Sequence, residues 1–155
     1  MDIADIVGSF SEKFGILFRP ASPTEVATAS AAGVPESLLQ FYREYEPNES
    51  GKEAVRFFPL ERVVAEMTDF VPGCHLSRHG FFGIAGTDHG DVFFVRPQRS
   101  RDYFNMPIYL FIHEVDFSRM HSSQVEEFGT MVAGGIPDFL TKAIDGRLQV
   151  DPFGG

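Results

Sequence analysis

The apolar positions at the start of the chain recur with the period of an α-helix. They are Ile3, Ile6, Val7, Phe10 and Phe14. This spacing places them on one face of a helix, and Gly15 follows at a position where helices commonly end. The pattern therefore predicts an amphipathic helix from Asp2 to Phe14.

Two further helices are predicted from their starting residues. Ser22 can cap a helix, Pro23 suits its first position, and Glu25 stands where a capping box needs a carboxylate. That helix is rich in alanine and ends at Gly33. The next one opens at 34–36, and its apolar stripe consists of Leu38, Leu39, Phe41, Tyr42 and Tyr45. We expect this stripe to belong to the core, since aromatic and aliphatic residues at helical spacing usually do.

The middle of the chain changes to short apolar runs that are typical of strands. Residues 81–85 and 92–95 flank a stretch rich in Gly and Asp at 86–91, which predicts a β-hairpin. The run 107–113 is the most continuously apolar and predicts a central strand covered on both faces. An antiparallel sheet therefore follows the helices in the chain.

Two helices are predicted near the C-terminus. The first starts at Ser122, and its inward positions are Val125, Phe128, Met131 and Val132. Gly134 and Gly135 interrupt it, and a final helix spans 136–144. Helices, then an antiparallel sheet, then helices, form an α+β pattern.

The length and composition indicate that the chain forms a single globular domain. With 155 residues, 43% of them hydrophobic, it is long enough to bury its own core. We place the domain at residues 1–150, with a flexible tail at 151–155. Cys74 is the single cysteine, and a lone thiol is typical of a reducing cytosol. There is no signal-peptide pattern and no run of about 18 apolar residues, so we expect a cytoplasmic protein without a membrane span.

The formal net charge of −9 narrows the class of partner. A negative surface repels phosphate backbones and attracts cations, so nucleic-acid binding is disfavoured. A basic protein partner is compatible with this charge. Solubility alone would also explain an acidic surface, so the charge permits such a partner without proving one.

Three blocks of sequence, in a fixed order, carry a family resemblance. They are the Pro-x-x-Leu-Leu-x-Phe-Tyr-x-x-Tyr helix at 35–45, the hairpin at 82–93 whose turn ends in Gly90-Asp91, and the strand from Pro107 followed by Val-Glu-Glu-Phe at 125–128. Their order and spacing resemble the SUKH superfamily. That superfamily includes the yeast cell-wall-assembly regulator and many bacterial immunity proteins. The resemblance covers residues 20–145 and leaves residues 1–20 as an N-terminal helical extension.

The resemblance implies both a fold and a role. The fold is a curved antiparallel sheet of about four to six strands, flanked by N- and C-terminal helices. The implied role is non-catalytic: an immunity protein that binds and neutralises a cognate bacterial toxin, a basic protein and possibly a nuclease. A regulatory scaffold that binds a cellular partner, as in the yeast relative, is the alternative. We expect a monomer or a weak homodimer.

A third possibility is a small metal-dependent hydrolase. The side chains of ligand type are His75, His79, Asp88, His89, Asp91, His113 and Glu114. They form neither an HExxH motif nor paired CxxC motifs, which are the spacings that place ligands on one metal. Asp and Gly at a hairpin turn are also ordinary turn residues. We therefore expect no metal, no cofactor and no catalytic residues.

The predicted partner-binding residues are acidic side chains at two turns. The first group, on the far side of the third helix and in the turn after it, is Glu44, Glu46, Glu49 and Glu53. The second group, at the tip of the hairpin, is Asp88, His89 and Asp91. Charges at the rim of an interface speed association with a partner of opposite sign and set specificity.

Overall fold

The fold is known from a computed structural model that describes residues 2–48, 55–87, 90–97, 102–111 and 115–148. Within these ranges the helices are α1 (Ile3–Phe14), α2 (Pro23–Ala32), α3 (Glu36–Tyr42), α4 (Leu60–Thr68), α5 (Gly73–Leu76), α6 (Ser122–Glu127) and α7 (Ile136–Ile144). The strands are β1 (Phe18–Arg19), β2 (Glu46–Pro47), β3 (Val55–Phe57), β4 (Phe82–Thr87), β5 (Val92–Val95), β6 (Ile108–Phe111) and β7 (Gly129–Ala133). Single 3-10 turns lie at Ser77–His79 and Tyr103–Asn105.

The predicted α+β class is confirmed. Strands β3 to β7 form one antiparallel sheet in the order of the chain, and β1 pairs with β2 in a separate two-stranded sheet. The larger sheet is open, with β3 and β7 at its edges. Five strands lie within the expected number, and helices precede and follow them along the chain.

The N-terminal helices begin and end as their local signals predict. In α1, the side chain of Asp2 accepts a hydrogen bond from the backbone N–H of Asp5 at 3.0 Å, and Gly15 ends the helix with φ of 65°. In α2, the capping box is complete: Ser22 and Glu25 each accept a hydrogen bond from the other's backbone N–H at 3.1 Å. These bonds satisfy N–H groups that a helix leaves without partners at its start.

The predicted hairpin is present, and the strand at 107–113 is displaced from the centre of the sheet. β4 and β5 pair in antiparallel register. β6 lies between β5 and β7, next to the edge, while β5 is the middle strand. Three of the four β6 residues are nevertheless buried. The ring of Phe111 packs against those of Phe81, Phe94 and Phe117. His113 is outside the described residues.

The prediction for residues 129–133 was wrong. The helix from Ser122 ends at Glu127, and the next residues form strand β7, with Met131 58% exposed to solvent. In this position the backbone of β7 supplies hydrogen bonds to β6. A helix there would leave the outer edge of the apolar β6 without partners, which is costly for buried backbone groups.

The core is aromatic, and Phe57 on the edge strand β3 lies at its centre. Its ring centroid is 5.5–6.4 Å from those of Phe10, Phe18, Phe41, Tyr42 and Phe139. Such separations are typical of favourable aromatic pairs. Because these rings come from α1, β1, α3 and α7, helix α1 is part of the core, although the family resemblance does not extend to it. In the described residues, no helix has the length and apolar character that a membrane crossing requires.

Candidate functional site

An aromatic side chain is held out into solvent at the 3-10 turn Tyr103–Asn105. Asp102 caps this turn: its Oδ1 accepts hydrogen bonds from the backbone N–H of Phe104 at 2.9 Å and of Asn105 at 3.2 Å. The ring of Phe104 is 50% exposed and stacks on the ring of Tyr103 at 4.5 Å between centroids. A short side chain that bonds the backbone ahead of it fixes the turn locally.

The stacked pair rests on the core and is therefore held in place. Tyr103 is buried, and its ring packs edge-on against that of Phe41 at 5.3 Å. Gly135 lies directly behind the turn, where a Cβ would stand 1.8 Å from the backbone oxygen of Phe104. Only glycine allows the two backbones to approach so closely. A rigid, exposed ring loses little conformational entropy when it is covered by a partner.

Carboxylates lie close to Tyr103 and to the neighbouring Tyr45. Burial, followed by the charges of Glu44, Tyr45 and Asp102, raises the pKa of the Tyr103 phenol. Burial, followed by the charges of Glu44 and Asp2, raises the pKa of the Tyr45 phenol. Glu44 thus lies close enough to act on both phenols, whereas Asp102 acts on Tyr103 and Asp2 on Tyr45. We define the Phe104 patch as Tyr45, Tyr103, Phe104, Asp2, Glu44 and Asp102.

The Phe104 patch has the chemistry of a binding surface. An exposed aromatic face attracts a cation through its ring quadrupole, and aromatic anchors dominate the energetics of many protein interfaces. Glu44 is exposed and adds a negative charge beside the rings. Both phenols are protonated at neutral pH, as tyrosine ordinarily is, so they can serve as hydrogen-bond donors and acceptors.

Of the predicted partner-binding residues, Glu44 lies on the surface as expected. Glu46 does not: it is 2% exposed, and its Oε2 accepts a hydrogen bond from the backbone N–H of Leu60 at the start of α4, at 3.1 Å. Asp91 is also buried, 4% exposed, where its backbone pairs with Thr87 to close the hairpin. Glu46 is turned inward because its carboxyl satisfies a backbone N–H at the start of α4. Asp91 is buried because its backbone lies within the hydrogen-bonded end of the hairpin. Four further predicted residues lie outside the described ranges: Glu49, Glu53, Asp88 and His89.

The buried carboxyl of Glu46 forms a pair with the half-buried carboxyl of Glu25. Burial, followed by a hydrogen bond with Glu25, raises the pKa of Glu46. The backbone hydrogen bond from Ser22, followed by the bond with Glu46, lowers the pKa of Glu25. When the pair carries a single proton, these directions favour Glu46 as the protonated partner. Arg19 approaches both carboxyls, at 3.7 Å from Glu25 and 3.5 Å from Glu46.

The pair has opposite effects on stability at the two ends of the pH scale. The raised pKa of Glu46 contributes stability that is present below its ordinary pKa and is lost as the pH rises through the raised value. The lowered pKa of Glu25 contributes stability that is present above its ordinary pKa and is lost as the pH falls through the lowered value. This arrangement stabilises the contact of α2 with the start of α4 and needs no catalytic role.

The histidines and acids considered as metal ligands do not converge in the part of the chain that the structure describes. Within it, no group of three or more His, Cys, Asp or Glu side chains could hold a metal ion. His79 instead hydrogen-bonds the hydroxyl of Ser122 through Nδ1 at 2.8 Å, and His75 is half-buried on α5. His113 and Glu114, like Asp88 and His89, lie outside the described residues.

Comparisons of this chain with protein-family models, with curated proteins and with solved structures found no significant match. Of the residues in the Phe104 patch, Glu44 was predicted from the sequence as a partner-binding residue, and the aromatic residues were not. One signal for the exposed ring was present: Asp102 precedes Tyr103 and Phe104 in an otherwise polar loop. An acid followed by two aromatic residues in a polar loop predicts a capped turn that displays a ring.

Proposed function

We propose that this chain is a non-catalytic, SUKH-like immunity protein that binds and neutralises a cognate bacterial toxin. The observation that carries the proposal is the Phe104 patch, an exposed ring that stacks on Tyr103, with the carboxylates of Glu44 and Asp102 close to that tyrosine. A patch of this kind binds a basic protein surface, and its residues suggest no reaction. The sheet of five antiparallel strands between helices agrees with the fold that the resemblance implies.

The charge of the chain supports the same partner. A net charge of −9 draws a basic toxin toward the domain and raises the rate of encounter. Many toxins that act on nucleic acids are basic, and an acidic binder can block one by covering its surface without performing chemistry. Affinity would then depend on a few anchors, of which Phe104 is the first candidate.

The test begins with the protein encoded beside this one in its genome. Co-expression should protect cells from a toxic neighbour, and the two proteins should purify as one complex. A neighbouring toxin whose toxicity is unchanged by this protein would contradict the proposal. A neighbour that binds but is not toxic would favour the regulatory scaffold instead.

The contribution of the patch is tested by a matched pair of substitutions. Phe104→Ala removes the anchor and should weaken binding by about 30-fold or more, the loss that corresponds to an interface hot spot. Met131→Ala removes an equally exposed apolar side chain on β7 and should leave affinity unchanged. If calorimetry gives equal affinities for both variants and the wild type, the Phe104 patch is not part of the interface.

A further inference from the structure

A groove between α2 and α4 is a second surface feature that shares no residue with the Phe104 patch. Its volume is about 320 Å³. The buried Ala29 and Leu60 and the half-buried Val64 form apolar walls, and the carboxylates of Glu25 and Glu61 lie among its lining residues. Pockets for small organic ligands begin at about this volume, so the groove suits a single extended side chain.

Helix α2 buries little of its own surface. Among its ten residues Ala29 is buried, and Val26 is partly buried against the core. Most helices in proteins are stabilised by packing a broad apolar face, and that of α2 is narrow. Its start is held by the capping box of Ser22 and Glu25, together with Pro23 at the first helical position. Thr24 and Thr28 are exposed and lie among the lining residues of the groove, so solvent reaches this side of α2.

The charges at the groove favour a cation. Glu61 is exposed, and its carboxylate makes no hydrogen bond or ion pair with any residue that the structure describes. Glu25 is approached by Arg19, whose side chain is 68% exposed and whose nearest nitrogen is 3.7 Å away. An exposed pair at this distance contributes little stability. A second cation between Glu25 and Glu61 would therefore gain attraction without displacing a strong ion pair.

We propose that the groove between α2 and α4 receives one arginine or lysine side chain of the partner protein. These side chains combine an aliphatic stem with a charged head. The stem lies along Ala29, Leu60 and Val64, and the head lies between the carboxylates of Glu25 and Glu61. The inference rests on the proposed function in one respect, that the partner is a protein with a basic surface.

The first test uses the isolated protein and a small probe. N-acetyl-arginine amide is titrated into the isotope-labelled chain, with N-acetyl-citrulline amide as the uncharged probe of similar shape. The arginine probe should shift amide resonances of α2 and α4 saturably, and the citrulline probe should not. Glu61→Gln should weaken its binding about two- to five-fold, as expected for one exposed ion pair. Glu12→Gln, the same change on the exposed face of α1, should leave binding unchanged.

Three outcomes of this titration would overturn the proposal. They are equal shifts with both probes, shifts confined to the Phe104 patch, and equal weakening by Glu61→Gln and Glu12→Gln. The last of these would indicate a response to net charge alone. Added salt provides a further check, since screening should reduce the preference for arginine over citrulline.

The second test separates this inference from the proposed function. With the toxin partner in hand, Glu61→Gln should weaken the complex by the same two- to five-fold factor, about that of one exposed ion pair. A complex that is unaffected by Glu61→Gln but lost with Phe104→Ala overturns the groove proposal and leaves the immunity role standing. A third outcome is that the arginine probe binds specifically to the groove but no protein is found that this chain neutralises. That outcome overturns both the immunity role and the docking of a partner side chain.

Discussion

Removing the hydroxyl of Tyr42 would measure how much one buried hydrogen bond contributes to the free energy of unfolding. The Tyr42 side chain is fully buried, and its hydroxyl donates to the backbone oxygen of Phe58 at 2.6 Å. Burial, followed by the charge of Glu46, raises the pKa of this phenol well above its usual range, so it remains a donor. The substitution Tyr42→Phe removes the donor and leaves the ring in place.

The expected loss follows from the acceptor that is left behind. An interior carbonyl without a partner costs about 1–3 kcal/mol, which lowers the free energy of unfolding by that amount. For a domain of this size each kcal/mol corresponds to about 2–4 °C in melting temperature, so about 2 kcal/mol predicts a fall of roughly 4–8 °C. Urea unfolding followed by circular dichroism, with the m-value unchanged, measures the free energy directly.

A second tyrosine serves as the control for this measurement. Tyr109 on β6 is half-buried, and its hydroxyl makes no hydrogen bond with another described residue. Tyr109→Phe should stay within about 0.5 kcal/mol of the wild type, as expected away from buried polar partners. If Tyr42→Phe is as stable as Tyr109→Phe, the hydrogen bond to Phe58 makes no net contribution and the reasoning is refuted.

Three further substitutions test other parts of the structure. Glu46→Gln keeps an oxygen that can accept from the N–H of Leu60, and its amide has no proton to lose. Its free energy of unfolding in urea, relative to that of the wild type, should therefore increase from about pH 5 to about pH 8. A difference that stays constant with pH would contradict the raised pKa of Glu46. Phe57→Ala should lower the free energy of unfolding by about 3–5 kcal/mol because it empties the centre of the aromatic core, and a loss below about 1 kcal/mol would show that the site collapses freely. Gly135→Ala should cost about 1–3 kcal/mol through overpacking against Phe104, and the amide resonances of that turn should shift; unchanged resonances would contradict the close approach.

The elements that were predicted from the sequence are those whose signals are local. The capping box of Ser22 and Glu25 lies within one turn of helix, and Gly15 and Gly33 each mark the end of the segment that precedes them. The hairpin of β4 and β5 is a contact between neighbours along the chain. In each case the residues that determine the structure are only a few positions apart, so the pattern alone is sufficient.

The elements that were missed depend on contacts between distant parts of the chain. Residues 129–133 have apolar spacing that fits a helix, and only pairing with β6 makes them a strand. The sequence around Glu46 predicts an exposed turn residue. In the structure its carboxyl accepts a hydrogen bond from Leu60, which begins a helix fourteen positions later. The Phe104 patch joins residues from three separate parts of the chain, at position 2, at 44–45 and at 102–104. Neither the composition nor the periodicity of a sequence shows which distant residues come into contact.

The packing of α1 against α7 has a consequence for the order in which the protein matures. Phe10 of α1 and Phe139 of α7 both contact the ring of Phe57, and Lys13 donates a hydrogen bond to the backbone oxygen of Ile144. Because α7 follows α1 in the chain, α1 is synthesised before one of its packing partners. Contacts between segments so far apart in sequence slow folding. Apolar side chains of α1 that lack a partner until α7 has been made are surface on which unfolded chains can aggregate.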